Sequence, residues 1–180
     1  MNMDLPLDVF CKELDWLQIP IDICETTITH VENSDFLRNQ AYHVLDNYTY
    51  ELYDAPQVLI DWCAENIPVD LSGFVVKVHR LLPPEIEKHK DDSHRISSFN
   101  FLLTADPAVT TWYDEDKKTV KHSTVYKQYT WYHHHGRLWH DITEIKTPRM
   151  AVLIYQDLWK PGDYERLYKE LRKDLPSTQK

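Results

Sequence analysis

The sequence predicts a mainly β fold of two packed sheets, a jelly-roll or related barrel, with helices at its flanks. Three observations point there. From Gly73 onward, short segments rich in Val, Ile, Thr, Phe, Tyr and Trp follow one another at close spacing, with turn residues between them. One of these, "RISSFNFLLT", alternates cleanly, with Phe99, Phe101 and Leu103 on one face and Ser98 and Asn100 on the other. Helical spacing is confined to the regions before and after this series.

The elements follow in order. Residues 1–32 read as irregular or short strand pieces, and the β-branched run "ICETTITHV" (Ile23 to Val31) reads as a strand. After Ser34, a reasonable N-cap, Leu37, Ala41, Val44 and Leu45 fall at helical spacing. "DAPQVLIDWCAENIP" reads as a second short helix. Pro56 suits its first turn, Leu59, Trp62 and Cys63 share a face, and Pro68 stops it. Strands are then expected in "GFVVKVHRLL", "RISSFNFLLT", "AVTTWYDED", "KHSTVYKQYTWYHHH", "RLWHDITEI" and "PRMAVLIYQDLW". Tyr164, Leu167, Tyr168, Leu171 and Leu175 form one apolar stripe, so a C-terminal helix is expected over residues 163–175. The organisation expected is one domain: residues 1–72 as support, 73–158 as the β core, and the terminal helix.

Composition bounds the function. A chain of 180 residues with 42% hydrophobic residues fits a single domain with a sizeable core. There are three glycines and no GxGxxG or GxxxxGK[ST] string, which argues against a phosphate-cradling nucleotide site. A formal net charge of −9 repels phosphates and argues against a long nucleic-acid partner. Cys11, Cys24 and Cys63 are scattered and odd in number, as in a chain kept in a reducing compartment. The acidic start is not a signal peptide and no apolar run is long enough to cross a bilayer, so a cytoplasmic, membrane-free protein is expected.

The chemistry concentrates on three separated positions. His89 and Asp91 stand two residues apart in "PPEIEKHKDDSHRISSFNFLLT", a spacing that turns both to one side of an extended chain. His140, in "LWHDI", shares a face with Leu138 and Ile142 and is expected to point inward. Two imidazoles and one carboxylate on one face of a metal leave the opposite coordination positions open. Arg149 opens the last strand, on a face with Ala151, Leu153 and Tyr155. A guanidinium directed into an apolar pocket is costly unless an anion meets it, and its fork suits a carboxylate.

On these residues, "HKD" at 89–91, "WH" at 139–140 and Arg149 at a strand start, the sequence resembles the Fe(II)/2-oxoglutarate-dependent dioxygenases, in their compact prolyl-hydroxylase-like branch. The likeness runs from about Gly73 to Gln156, and Arg95 and Asn100 stand where small members carry an Arg and an Asn after the motif. It implies a double-stranded β-helix. It further implies that His89, Asp91 and His140 hold Fe(II), and that the 2-oxoglutarate cosubstrate chelates the metal and meets Arg149 with its far carboxylate. A small-molecule or peptide substrate would be hydroxylated, with release of succinate and CO2. The chain departs from the pattern at Arg149-Met150-Ala151, where the family's Arg-x-Ser has a helping hydroxyl, and in "HRLLPPE" ahead of the motif. Asn100 or Tyr113 would then assist the cosubstrate.

Other residues compete for attention. Asp92 and His94 are near competitors, but both stand at the opposite parity to His89, which turns them away if the strand persists. In the run His133-His134-His135 strand neighbours face opposite sides, so at most His133 and His135 could share a ligand, and the run reads as surface histidines. His79 is a structural or substrate-contact residue. Trp112 and Trp131 belong to the core or line a substrate mouth. Arg149 could instead pair with Asp157 or Glu144 and serve only the fold. Two rival functions keep the same barrel: a cupin-like metal enzyme that does not use 2-oxoglutarate, and a noncatalytic jelly-roll binding module.

Overall fold

The computed structural model describes residues 10–34, 50–91 and 97–156. The helices expected over Leu37–Leu45 and over 163–175, together with Asp92, His94, Arg95 and Asp157, lie outside the described residues.

The first described elements are β1 (Cys11–Leu14) and α1 (Ile21–Glu32). The latter corrects the strand expected over Ile23–Val31. β-branched residues favour strands only weakly, and the stripe they form here decides the matter. Cys24, Thr27 and Val31 recur at helical spacing and are all buried. Thr26 and Thr27 donate their hydroxyls back to the carbonyls of Asp22 and Ile23, at 2.8 and 2.7 Å, which suits their polar atoms to a helix interior. Ser34 closes the helix by donating to the His30 carbonyl.

β2 (Tyr50–Asp54) leads to α2 (Gln57–Asn66), which begins after Pro56, buries Leu59 and Cys63, and gives way to extended backbone at Ile67, just before Pro68. Eight more strands follow: β3 (Phe74–Leu81), β4 (Ile86–His89), β5 (Ser97–Leu102), β6 (Val109–Tyr113), β7 (Val120–Val125), β8 (Trp131–His135), β9 (His140–Thr143) and β10 (Arg149–Gln156).

They build two antiparallel sheets. The larger has the order β1-β8-β5-β10-β3-β2 and the smaller β4-β9-β6-β7. From β3 to β10 the chain passes back and forth between the sheets, leaving the larger for β4, β6–β7 and β9 and returning for β5, β8 and β10. That winding is a double-stranded β-helix. No helix among the described residues is long and apolar enough to cross a membrane.

The pleat of the larger sheet sorts its side chains into two environments. Phe99, Phe101, Leu103, Val152 and Ile154 face α1 and α2 and form the main core with Cys24, Val31, Leu59 and Cys63. The intervening residues, Ser98, Asn100, Ala151 and Leu153, face the smaller sheet and line a pocket between the two. One end of that space is plugged by Leu81, Ile86, Ala108 and Ile145. Leu102, Trp112, Tyr126, Tyr132 and Ala151 pack a second cluster beside it.

This packing decides between the two readings of the tryptophans and corrects that of the histidines. Trp112 and Trp131 are fully enclosed and line no mouth. His133, His134 and His135 are not surface residues. They sit on β8, inside the larger sheet between β1 and β5, and all three are buried.

The helix-facing core carries most of the apolar burial, so truncation there is expected to be costly. Phe101→Ala should destabilise the fold by about 3–5 kcal/mol in urea denaturation. Val120→Ser, on the exposed β7 edge, should change it by no more than about 0.5 kcal/mol. Equal effects would contradict the assignment of Phe101 to the core.

Candidate metal centre

Strand pairing brings the two histidines together. β4 and β9 run antiparallel, with His89 and His140 directly opposite in register. Their rings lie 4.3 Å apart between centroids. Asp91 follows just past the end of β4, where its N–H donates to the Gly136 carbonyl at 2.8 Å and ties it to the turn after β8. One ligand atom from each of His89, Asp91 and His140 falls within 4.8 Å of the others. His89 Nε2 stands 3.7 Å from Asp91 Oδ1.

Both imidazoles are set in the same tautomer by the same device. His89 Nδ1 lies 2.7 Å from the Glu87 carbonyl, and His140 Nδ1 lies 2.8 Å from the Leu138 carbonyl. A carbonyl only accepts, so each Nδ1 carries the hydrogen and each neutral ring keeps its Nε2 lone pair for a metal. Two imidazole nitrogens and a carboxylate oxygen on one wall of a pocket are the donor set of non-heme Fe(II) sites with open positions. The residues present therefore fit a divalent transition metal.

Arg149 enters the same pocket from the start of β10, opposite Leu81 of β3. It is 3% exposed, and its Nε and Nη1 are buried without a hydrogen-bond partner among the described residues. Burial pulls the guanidinium below its ordinary pKa. Glu144, a possible fold partner for it, is solvent-exposed in a left-handed turn. The segment before Arg149 is pinned by Asp106, whose Oδ2 accepts from the N–H groups of Lys146 and Thr147, both at 3.2 Å.

The remaining sequence candidates separate. Asn100 lines the pocket and donates from Nδ2 to Ser98 Oγ at 3.1 Å. Tyr113 does not line it. Thr110 and Trp112 take the inward positions of β6, so Tyr113 points outward, where its hydroxyl donates to Asp141 Oδ2 at 2.7 Å. Its phenol is pushed up to about 12, chiefly by burial. Burial also raises the Asp141 carboxyl. His79 lines the pocket from β3.

Three pocket residues escaped the reading of the sequence. Thr110 presents a buried Oγ1 with no hydrogen-bond partner among the described residues. It offers, from β6, the kind of hydroxyl that Ala151 lacks on β10. His134 lines the pocket from β8, and strand alternation around Trp131 could have found it. Tyr126 lies in the connection after β7, where no periodic signal applies; its ring faces the Arg149 guanidinium, 5.0 Å from Cζ to centroid.

No family model matches the chain, and no curated protein matches it by sequence. Solved structures do resemble it in fold. A prolyl-4-hydroxylase from Pseudomonas putida superposes with a TM-score of 0.56 at 14% identity, over 82% of this chain and 92% of that one. SnoN, a non-heme alpha-ketoglutarate-dependent epimerase from nogalamycin biosynthesis, superposes with a TM-score of 0.58 at 12% identity, over 94% of this chain and 86% of that one.

The geometry makes a direct demand on metal binding. Mn(II) titrated calorimetrically is expected to bind one per chain, and His140→Ala should weaken it by at least about 100-fold. Retention of wild-type affinity in that variant would remove His140 from the site.

Proposed function

We propose that the chain is an Fe(II)/2-oxoglutarate-dependent oxygenase that hydroxylates a small-molecule or peptide substrate. The observation that carries this reading is Arg149: a buried guanidinium with two nitrogens unpartnered among the described residues, in the same pocket as His89, Asp91 and His140. Leaving such a charge unpaired costs about 3–5 kcal/mol, a penalty that a bound carboxylate would relieve. A metal enzyme with no anionic cosubstrate would have no use for it, which sets the cupin-like alternative second. The likeness in fold to a prolyl-4-hydroxylase and to an alpha-ketoglutarate-dependent epimerase supports the same class.

The roles follow from position. His89 Nε2, Asp91 and His140 Nε2 would hold Fe(II), which when bound supplies the activation of dioxygen coupled to oxidative decarboxylation of the cosubstrate. Arg149 would receive the far carboxylate of 2-oxoglutarate through its charged fork. Thr110 Oγ1 would donate the second hydrogen bond there, taking the part of the hydroxyl absent at Ala151, whose methyl leaves the space open. Ser98 and Asn100, polar residues on the same wall, would meet the substrate. Leu153 and Ile142 line the rest and exclude water from the reacting centre.

Iron-loaded protein supplied with 2-oxoglutarate and oxygen is expected to release succinate even without substrate. Arg149→Ala should weaken 2-oxoglutarate binding to the Mn(II)-loaded protein by at least about 30-fold, the loss of one charge-assisted pair, and leave Mn(II) affinity unchanged. Thr110→Val should weaken it by about 5-fold, as for one neutral hydrogen bond. If 2-oxoglutarate does not bind the metal-loaded protein, the proposal fails.

A further inference from the structure

We infer that Tyr126 is a positioning residue that sets both ends of the pocket at once, holding the Arg149 guanidinium with its ring face and fixing the metal-ligand side through His134 with its hydroxyl. The inference rests on the proposed function for the meaning of the two ends. The geometry behind it is independent of any ligand.

Tyr126 stands at a junction. Its ring stacks on Tyr132, with centroids 4.2 Å apart and planes 7° from parallel. Tyr132 is itself anchored, since its hydroxyl oxygen accepts the Lys127 N–H at 3.0 Å. The ring also meets the guanidinium of Arg149, with Cζ 5.0 Å from the centroid. A cation over a buried aromatic ring is attracted by the ring's quadrupole, and the attraction constrains where the fork lies without using any of its N–H donors. The donors remain available to an anion. An ion pair with a carboxylate side chain would hold Arg149 equally well and leave it unfit for that purpose.

The hydroxyl reaches the other end. It lies 2.8 Å from His134 Nδ1 and accepts the Cys11 thiol hydrogen at 3.4 Å. Burial holds the phenol well above its ordinary pKa, so it keeps its proton. With the thiol donating to the phenol oxygen, the phenol O–H is the group that donates to Nδ1. His134 is then the tautomer protonated on Nε2. Its ring packs edge-on against His140, 4.8 Å between centroids and 79° between planes, and it lies 5.1 Å from Trp112. His140 is therefore fixed twice, by the Leu138 carbonyl at Nδ1 and by an imidazole whose own orientation is set by Tyr126. The chain Cys11–Tyr126–His134–His140 converges with the Arg149 contact on one side chain.

The two functions of Tyr126 separate by substitution. Tyr126→Phe keeps the ring and its stack and removes only the hydroxyl. It should leave 2-oxoglutarate affinity of the Mn(II)-saturated protein within about 3-fold of wild type. It should weaken Mn(II) itself by about 10-fold and shift the His134 ring 15N resonances away from a pure Nε2–H tautomer. Tyr126→Leu removes the ring as well and should lower 2-oxoglutarate affinity by a further 10-fold or more. A purely structural residue would move neither the tautomer nor the ratio of the two affinities. Wild-type protein that binds no 2-oxoglutarate overturns the underlying functional reading. Wild-type protein that binds it, with Tyr126→Phe unchanged in both Mn(II) affinity and His134 tautomer, overturns this inference alone. The near-isosteric Phe variant carries the test even where Leu does not fold.

Discussion

His89 and His140 face each other across the β4–β9 ladder, and the pocket is organised around that register. A one-residue slip of either strand would turn that strand's imidazole to the outer face of the smaller sheet and part it from the other. The register is specified by more than the two rings. Ile86 pairs with Ile142 further along the same ladder, and both bury apolar surface at the plugged end of the barrel. A register shift between Ile86 and His89 then brings His89 opposite His140. Asp91 lies just past the end of β4, and its backbone N–H is held by the Gly136 carbonyl, which ties the third donor to the turn after β8.

The interior between the sheets is more polar than a structural core requires. Ser98, Asn100, Thr110, His134 and Arg149 all line it, and several of their atoms are buried. In a barrel serving only stability, apolar residues of similar volume would do as well or better. Among the described residues, Arg149 and Thr110 keep buried polar atoms unsatisfied, which native structures do rarely. The apolar core lies elsewhere, between the larger sheet and the two helices, and it stabilises a scaffold that can carry these unfavourable groups. Asp106 and Tyr126 belong with that support. The first fixes the backbone that leads to Arg149, and the second fixes its guanidinium.

Local propensity misled in one place and was silent in others, each for a physical reason. Ile23–Val31 is β-branched enough to read as a strand, yet its buried stripe at helical spacing, packed on the larger sheet, made it α1. The three consecutive histidines read as surface because polar residues mostly are, but β8 lies inside a sheet with neighbours on both sides, and that burial is a property of strand order. Tyr113 looked available to a cosubstrate until the inward pair Thr110 and Trp112 fixed the parity of β6.

The sequence by itself determined the strand series from Gly73 onward, the alternation of β5, and a short set of residues whose side-chain types suit a metal and an anion, His89, Asp91, His140 and Arg149. These are legible because they are local patterns, the period of a pleat and the donor types of side chains. Which polar residues share the pocket with them was decided only by the tertiary structure. Thr110, Tyr126 and His134 come from β6, a connection and β8, and no spacing along the chain relates them to β10 or β9. Their meeting depends on the order in which two sheets exchange strands, a long-range packing outcome that no local window contains.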